Sequence, residues 1–250
     1  MMYSQNKTTN GRYSTYLYNS VKPLMETFQH QFIELALNAE ALCFGEFTLK
    51  SGRSSPYFFN AGQFNRGQEL AILGQCYAAK IIASGIDFDM LFGPAYKGIP
   101  LVAVTAAALA TYHDRDVPYA FNRKEKKEHG EGGSIVGAPL EGKVLIIDDV
   151  ITAGTAIREV LALLGEHEQA QPAGVTIGLD RCEKGSNDLS ASQTFEQDFN
   201  LPVLSIVTIE HLLDFLSKQD NTETSAVTHE QLEAIKNYWH QYGAHTVNQS

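Results

Sequence analysis

The most informative stretch of the sequence is Val144-Leu145-Ile146-Ile147-Asp148-Asp149-Val150-Ile151-Thr152-Ala153-Gly154-Thr155-Ala156. Its first four residues are a continuous apolar run, which is typical of a parallel strand buried on both faces. Two carboxylates follow, and then a turn of small and hydroxyl-bearing residues that leads into a predicted helix at 156–164. Backbone N–H groups and the dipole at such a helix start favour an anion. The stretch therefore predicts a phosphate-binding turn beside a pair of acidic residues.

An ordinary helix cap is the alternative interpretation of this turn, because Asp and Thr are common capping residues. A cap would account for any one of these residues. It does not account for two acidic residues at the end of an apolar strand, followed by Thr-Ala-Gly-Thr. Neither GxGxxG nor GxxxxGK[ST] occurs here, so the stretch is not a dinucleotide-binding turn or a kinase-type P-loop.

Outward from this stretch, helical and strand patterns alternate along the chain. Helical spacing of apolar residues predicts helices at 25–42, 68–84, 99–112, 156–164, 209–216 and 230–242. Shorter apolar runs predict strands at 89–92, 118–122, 143–147, 174–179 and 203–207, and an aromatic-rich segment at 44–60 predicts a hairpin. The alternation predicts an α/β fold in which a central parallel sheet is flanked by helices.

Ligands of such sheets bind beyond the carboxyl ends of the strands. We therefore expect the loops after Phe92, Asn122, Ile147 and Leu179 to surround one site. The segment 123–137 is charged, rich in glycine and without periodicity, and it is predicted to be a mobile loop.

The composition of the chain indicates which binding partners and which cellular compartment are compatible with it. The chain of 250 residues has 19 basic and 29 acidic residues and a formal net charge of −10, which disfavours nucleic acid and anionic membranes as partners. Its three cysteines form no CxxC pair, and no metal-binding histidine spacing is present. Residues 1–24 lack the apolar core of a secretory signal, and no apolar run is long enough to span a membrane. We expect a cytoplasmic protein with a flexible extension at 1–24.

The turn resembles the motif by which type I phosphoribosyltransferases bind phosphoribosyl pyrophosphate (PRPP). Four further segments are similar to bacterial orotate phosphoribosyltransferases: 44–60 to their small N-terminal hood, 93–100 to their pyrophosphate loop, and 121–125 with 129–133 to their mobile catalytic loop. The resemblance implies a phosphoribosyltransferase domain at 25–243. Its parts are a hood at about 25–65, a core at about 66–220, a C-terminal helix at about 229–243, and then a tail at 244–250.

The resemblance implies transfer of the phosphoribosyl group from PRPP to orotate, which gives orotidine 5′-phosphate and pyrophosphate. Asp148 and Asp149 would accept hydrogen bonds from the ribose hydroxyls, and Thr152–Ala156 would surround the 5′-phosphate. The cations of the charged loop would meet pyrophosphate. The implied PRPP-binding residues are Lys50, Tyr96, Lys97, Arg123, Lys124, Lys127, His129, Asp148, Asp149, Val150, Ile151, Thr152, Ala153, Gly154, Thr155 and Ala156.

Orotate is a flat anion, and the resemblance implies that aromatic and basic residues hold it. The implied orotate-binding residues are Lys50, Phe58, Phe59, Thr152 and Arg181, and the implied catalytic residues are Lys50, Lys127, Asp148 and Asp149. Successive strand residues face opposite sides, so Phe58 and Phe59 could contact orotate by side chain or by backbone. The resemblance also implies Mg²⁺ carried by PRPP, with no protein metal site, and a homodimer in which the loop reaches the neighbouring subunit.

Two other functions remain open at this stage. A phosphoribosyltransferase for a purine or for uracil would share the Thr-Ala-Gly-Thr turn, although the hood and catalytic-loop segments favour orotate. A regulator that binds nucleic acid without catalysis would be expected to have a basic patch or an added DNA-binding domain, and the net charge of −10 gives that alternative no support.

Overall fold

The computed structural model describes residues 25–49, 51–123, 134–152, 154–185, 187–220 and 225–244. Its strands are β1 (Leu42–Thr48), β2 (Ser54–Phe59), β3 (Met90–Gly93), β4 (Tyr119–Asn122), β5 (Ile135–Gly137), β6 (Gly142–Asp148), β7 (Ala170–Asp180) and β8 (Val203–Thr208). Its α-helices are α1 (Thr27–Asn38), α2 (Gly67–Ser84), α3 (Gly98–His113), α4 (Thr155–Gly165), α5 (Ala191–Phe199), α6 (Ile209–Gln219) and α7 (His229–Tyr242).

Six strands form the central sheet in the order β5-β4-β3-β6-β7-β8. All neighbouring pairs are parallel except β4 and β5, which are antiparallel. The predicted α/β fold with a mainly parallel sheet is therefore confirmed. Strands β1 and β2 form a separate antiparallel hairpin, as the aromatic-rich segment predicted.

Strand β6 lies in the middle of the sheet, and its side chains alternate between two hydrophobic cores. Leu145 and Ile147 pack in the core that also contains residues of α1, α2, α3, α6 and α7. Val144 and Ile146 pack in the second core, which contains residues of α4 and α5. All four residues are fully buried, which explains why the strand is an unbroken apolar run. Within the described ranges, no helix has the length and hydropathy needed to cross a bilayer.

Most predicted elements are present, but three details were wrong or missed. The predicted helix 25–42 ends at Asn38, because Glu40 turns the chain with a φ of 53° and Leu42 already begins β1. The predicted loop 123–137 contains β5, a three-residue edge strand whose pairing with β4 depends on distant residues. Helix α5 was not predicted, although Ser190 caps it by accepting a hydrogen bond from the backbone N–H of Gln193.

Helices α2 and α3 pack closely at Gly74. A Cβ added to Gly74 would lie 2.5 Å from the carbonyl oxygen of Val104 and 3.1 Å from the Val104 Cβ. Such a contact forces the two helices apart, since the first obstructing atom belongs to the backbone. The absence of a side chain at Gly74 thus sets the distance between these helices.

We expect Gly74→Ala to lower the free energy of unfolding by about 1–3 kcal/mol, because overpacking outweighs the better helix propensity of alanine. Urea denaturation followed by circular dichroism measures the change. Gly67→Ala is the matched control in the same helix, because nothing lies within 4 Å of the added Cβ, and it should leave stability unchanged or raised. Equal stability of the two variants would contradict the close approach.

Candidate active site

The acidic pair stands where β6 ends. Asp148 is the last residue of the strand, and its Oδ1 accepts a hydrogen bond from the backbone N–H of Asp149 at 2.9 Å. Oδ1 of Asp149 accepts another from the backbone N–H of Val150 at 3.0 Å. These local hydrogen bonds orient both carboxylates before any ligand binds.

Two neighbouring elements hold the backbone of this pair in place. The hydroxyl of Tyr77 on α2 donates to the carbonyl oxygen of Asp148 at 2.8 Å. The backbone N–H of Gly178 on β7 donates to the carbonyl oxygen of Asp149 at 2.9 Å. Tyr77 has a role in shaping the site that the sequence did not reveal, because it lies among apolar helix residues and is fully buried.

The two carboxylates differ in their electrostatic environment. Asp148 is 8% exposed. Its pKa is raised from 3.8 to about 7, mainly by burial and then by the charge of the nearby Asp149, whereas Lys97 opposes the shift. Asp149 has a direct cationic partner, since Nζ of Lys97 lies 2.7 Å from its Oδ2. The site thus contains one buried carboxyl that titrates near neutral pH and one carboxylate paired with lysine.

The loop after β3 brings Lys97 to the acidic pair. The peptide bond between Ala95 and Tyr96 is cis, and the side chain of Tyr96 is 63% exposed. The backbone N–H of Ala95 donates to Oδ1 of Asn122, at the end of β4, across 2.8 Å. Asn122 therefore joins the carboxyl ends of two strands, a role that its position in the sequence alone did not assign.

A cavity of about 160 Å³ opens beside the start of α4. Gly154 precedes that helix with a φ of 68°, a left-handed conformation that glycine adopts without strain. The helix start and the cavity volume fit an anionic group such as a phosphate. The cavity is lined by Thr152, Gly154, Arg158, Gly185, Asn187, Ala191, Thr194 and Phe195.

The two phenylalanines of the hairpin face opposite sides of β2. Phe58 is 41% exposed and stacks on Phe47, with ring centroids 5.5 Å apart. Phe59 turns toward the core, where its ring lies 6.1 Å from that of Phe32 and 6.2 Å from that of Phe64. Of the two side chains, Phe58 is therefore the one with a free ring face.

Arg181 follows the end of β7 and reaches the hairpin. Its Nε donates to Oε1 of Glu183 at 2.7 Å, and its Nη2 donates to Oγ of Ser55 at 2.9 Å. The guanidinium carbon lies 4.0 Å from the ring centroid of Tyr57. Arg181 thus links β7 to β2, and the edge formed by Nε and Nη2 is already engaged.

The structure brings some of the predicted site residues close together. Lys97 and Asp149 are in direct contact, and Thr152 and Gly154 line one cavity. Val150 and Ile151 pack against the cores, Ala156 is half-buried, and Thr155 is exposed at the start of α4. Five predicted site residues lie outside the described residues: Lys50, Lys124, Lys127, His129 and Ala153.

Arg123 is the last described residue before 124–133. Its backbone N–H donates to the carbonyl oxygen of Ser134 at 2.7 Å, so the two ends of that segment lie side by side. The described ends of this segment therefore lie at the end of β4, whose Asn122 contacts the loop that contains Lys97. As for metals, no group of three or more His, Cys, Asp or Glu residues in the described part of the chain could hold an ion.

Comparison with known proteins agrees with this geometry. Residues 60–190 match the model of the phosphoribosyl transferase domain family. The match covers the acidic pair, the Lys97 loop and Arg181.

Named relatives match more of the chain. A protein of Vibrio cholerae named orotate phosphoribosyltransferase is 57% identical over 219 residues, which cover 88% of this chain and 100% of that protein. A protein of Cellvibrio japonicus with the same name is 56% identical over 219 residues, which cover 88% of this chain and 99% of that protein. Both alignments extend well beyond the domain match.

A solved structure gives the same result. The crystal structure of orotate phosphoribosyltransferase from Francisella tularensis superposes with a TM-score of 0.74 and 47% identity, and the match covers 85% of this chain and 98% of that one. Identities of this size over nearly the whole length of the relatives show more than a shared fold. The chain belongs to the orotate phosphoribosyltransferase family.

Proposed function

We propose that this chain transfers the 5-phosphoribosyl group of PRPP to orotate at the carboxyl edge of β3, β6 and β7, as one step of UMP synthesis. The products are orotidine 5′-phosphate and pyrophosphate. One observation supports this placement: Asp148 and Asp149 are buried together at the end of β6, Lys97 lies 2.7 Å from Asp149, and the turn that follows them lines a cavity at a helix start. That arrangement fits a sugar that has a phosphate on each side.

The ribose of PRPP lies over the acidic pair in this proposal. Carboxylate oxygens accept hydrogen bonds from vicinal hydroxyls, and the local backbone contacts already aim both carboxylates. The 5′-phosphate occupies the cavity at the start of α4, where Thr152 and Gly154 lie in the wall. Thr152–Ala156 then supply backbone N–H groups and hydroxyls to the phosphate oxygens.

Pyrophosphate is held by cations from two segments. Lys97 exchanges the Asp149 carboxylate for a phosphate oxygen when PRPP binds, which frees Asp149 for the ribose; its side chain is half exposed and can move. Tyr96 belongs to the same loop. Arg123, Lys124, Lys127 and His129 are proposed from the family resemblance as the cations that cover the pyrophosphate, with Lys127 as the principal catalytic group.

Orotate lies between the hairpin and the end of β7. The exposed ring of Phe58 offers a flat apolar surface, and Phe59 contributes through its backbone, because its ring is turned to the core. Arg181 supplies positive charge from the other side. Thr152 and Lys50 complete the set by resemblance, and Lys50 also touches PRPP.

The reaction breaks the bond between C1′ and the pyrophosphate oxygen and forms a bond between C1′ and N1 of orotate. The proton of N1 is released to the departing pyrophosphate or to water. Positive charge develops on the ribose ring as the first bond loosens, and the carboxylates of Asp148 and Asp149 stabilise that charge. The protein orients both substrates and forms no covalent intermediate in this proposal. Mg²⁺ carried by PRPP would supply further charge that neutralises the leaving group, and Asp148 and Asp149 would be the carboxylates of the described site available to it.

We also propose an oligomeric state, a class of partners and a cellular location for the enzyme. We propose a homodimer in which residues of 124–133 act at the site of the neighbouring subunit. The net charge of −10 accords with small anionic substrates that are captured by local cations, without nucleic acid or membrane partners. A cytoplasmic location fits three cysteines that form no disulfide in the structure.

We expect the purified protein to consume orotate only in the presence of both PRPP and Mg²⁺. Loss of orotate absorbance measures the reaction, and parallel assays contain uracil, hypoxanthine or adenine in place of orotate. Turnover of one of those bases instead would overturn the orotate assignment while retaining the PRPP site. Salt-dependent binding of nucleic acid without turnover of any base would favour the regulator.

Asp148→Asn should stabilise the protein and impair its use of PRPP. Because the folded-state pKa of about 7 exceeds the ordinary 3.8, the folded protein retains a proton that the unfolded chain has lost between these values. Stability therefore falls as the pH rises through this window, and the penalty is complete above it. The asparagine variant removes the penalty but also removes a carboxylate from the ribose.

Thermal unfolding at pH 8 and near pH 4, together with the KM for PRPP, tests this expectation. The melting temperature of Asp148→Asn should exceed that of the unmodified protein at pH 8, and the difference should shrink near pH 4. The KM for PRPP should rise by about tenfold or more, in line with the loss of a charge-assisted hydrogen bond. Asp116→Asn, at an exposed site, is the control. Full activity of Asp148→Asn would refute the ribose assignment.

Lys127→Ala should lower kcat by about 10²–10³, as expected for loss of a group that stabilises transition-state charge. The affinity for orotate should change much less. Steady-state kinetics and orotate titration measure the two quantities separately. Lys126→Ala is the matched control, because the neighbouring lysine has no assigned role. An unchanged kcat in Lys127→Ala would exclude the catalytic role of the loop.

A further inference from the structure

A cluster of two arginines and one carboxylate joins three elements beside the proposed orotate position. Arg53 precedes β2, Arg181 follows the end of β7, and Glu183 lies two residues further on. The side chain of Glu183 is 13% exposed, that of Arg181 is 17% exposed and that of Arg53 is 26% exposed. We call this group the Glu183 cluster. Because its charges are largely shielded from water, their mutual geometry is energetically important.

Contacts around Arg181 leave one nitrogen less engaged than the others. Glu183 accepts from Nε at 2.7 Å, and Ser55 accepts from Nη2 at 2.9 Å. The face of the guanidinium lies on the Tyr57 ring. Nη1 donates to the carbonyl oxygen of Tyr57 across a longer distance, 3.5 Å. Nη1 therefore has the longest of these three contacts, whereas Nε and Nη2 are held closely.

Glu183 is itself held on its far side. Arg53 Nη1 lies 3.7 Å from Oε2 of Glu183, and Arg53 Nη2 donates to the carbonyl oxygen of Lys184 at 2.9 Å. The Arg53 guanidinium carbon lies 5.0 Å from the centroid of the Tyr242 ring at the end of α7. Glu183 also forms a backbone bridge with Gly243. The hairpin and the C-terminal helix thus fix the carboxylate from both sides.

The charge balance of the cluster suits one small anion. Two arginines and one carboxylate sum to a single positive charge, and orotate carries a single negative charge on its carboxylate. Loss of the Glu183 charge would release the Nε–Nη2 edge of Arg181, and the guanidinium could rotate about its long side chain. Ordering the Arg181 side chain would then reduce the free energy of ligand binding by its entropic cost.

We propose that Glu183 is a positioning residue that holds the Arg181 guanidinium in one fixed orientation beside the proposed orotate position. This inference rests on the proposed function, in which Arg181 lies on the orotate side of the site. Glu183 touches neither substrate nor any reacting atom. Its role is to keep the arginine in one orientation, which Ser55 and Tyr57 support from the hairpin.

Glu183→Gln is the principal test, because glutamine keeps the length of the side chain and one acceptor oxygen but loses the charge. We expect the KM for orotate to rise by about tenfold, since an ion pair becomes a hydrogen bond from the arginine to an uncharged acceptor. The KM for PRPP should stay within about twofold, because its proposed contacts lie at the end of β6 and beside α4. Glu183→Asp, which keeps the charge, should recover part of the orotate affinity.

Controls separate positioning from general stability. Glu233→Gln makes the same chemical change on α7, where Glu233 pairs with Lys236 on the surface, and should leave both KM values unchanged. Ser55→Ala removes the other anchor of Arg181 Nη2 and should raise the KM for orotate selectively even if Glu183→Gln folds poorly. Circular dichroism at the assay temperature establishes that each variant is folded.

The outcomes distinguish this inference from the proposed function. If the unmodified protein does not use orotate, the proposed function fails, and the role of Glu183 fails with it. If the protein uses orotate and folded Glu183→Gln and Ser55→Ala raise both KM values equally or neither, only the positioning role is overturned. A selective rise in the KM for orotate, matched by a larger rise in Arg181→Lys, supports the role.

Discussion

Burial of two adjacent carboxylates at the end of an apolar strand is the constraint on which the rest of this site depends. An isolated charge in such a position is costly, so neighbouring groups must compensate for it. Lys97 supplies a cation to Asp149, whereas burial and the neighbouring Asp149 raise the pKa of Asp148. Hydroxyl donors and cations would compensate these carboxylates further, and the ribose hydroxyls of the proposed substrate PRPP are such donors.

Residues on neighbouring elements hold the acidic pair and the Lys97 loop in a fixed geometry. Tyr77 and Gly178 fix the backbone of the acidic pair, and Asn122 fixes the loop that carries Lys97. None of these three groups needs to touch substrate. Each contributes a hydrogen bond that ties one loop to the rigid sheet, so that the ligand meets a site which is already arranged. The preorganisation comes from the parallel topology, which brings separate strand ends to one edge.

The sequence was sufficient for the fold class, most elements and the acidic pair, because each depends on local periodicity or on a compact motif. It was insufficient where distant residues decide the structure. Strand β5 exists because it pairs with β4, and Tyr77 matters because α2 passes behind Asp148. The opposite orientations of Phe58 and Phe59 followed from strand alternation, but only the packing shows which of them faces the core. The engagement of Arg181 by Glu183 also required the three-dimensional arrangement.

The pairing of β4 with β5 has a consequence for how this family can diversify. Arg123 and Ser134 are hydrogen bonded to each other, so the sheet holds the two ends of 124–133 together. The entropic cost of closing this loop is therefore offset by strand pairing and not by contacts within the segment. Substitutions within that segment can therefore alter charge and reach at little cost to the stability of the core. The β4–β5 pair therefore fixes both ends of 124–133, so the residues between them can be exchanged during evolution while the sheet that supports them stays the same.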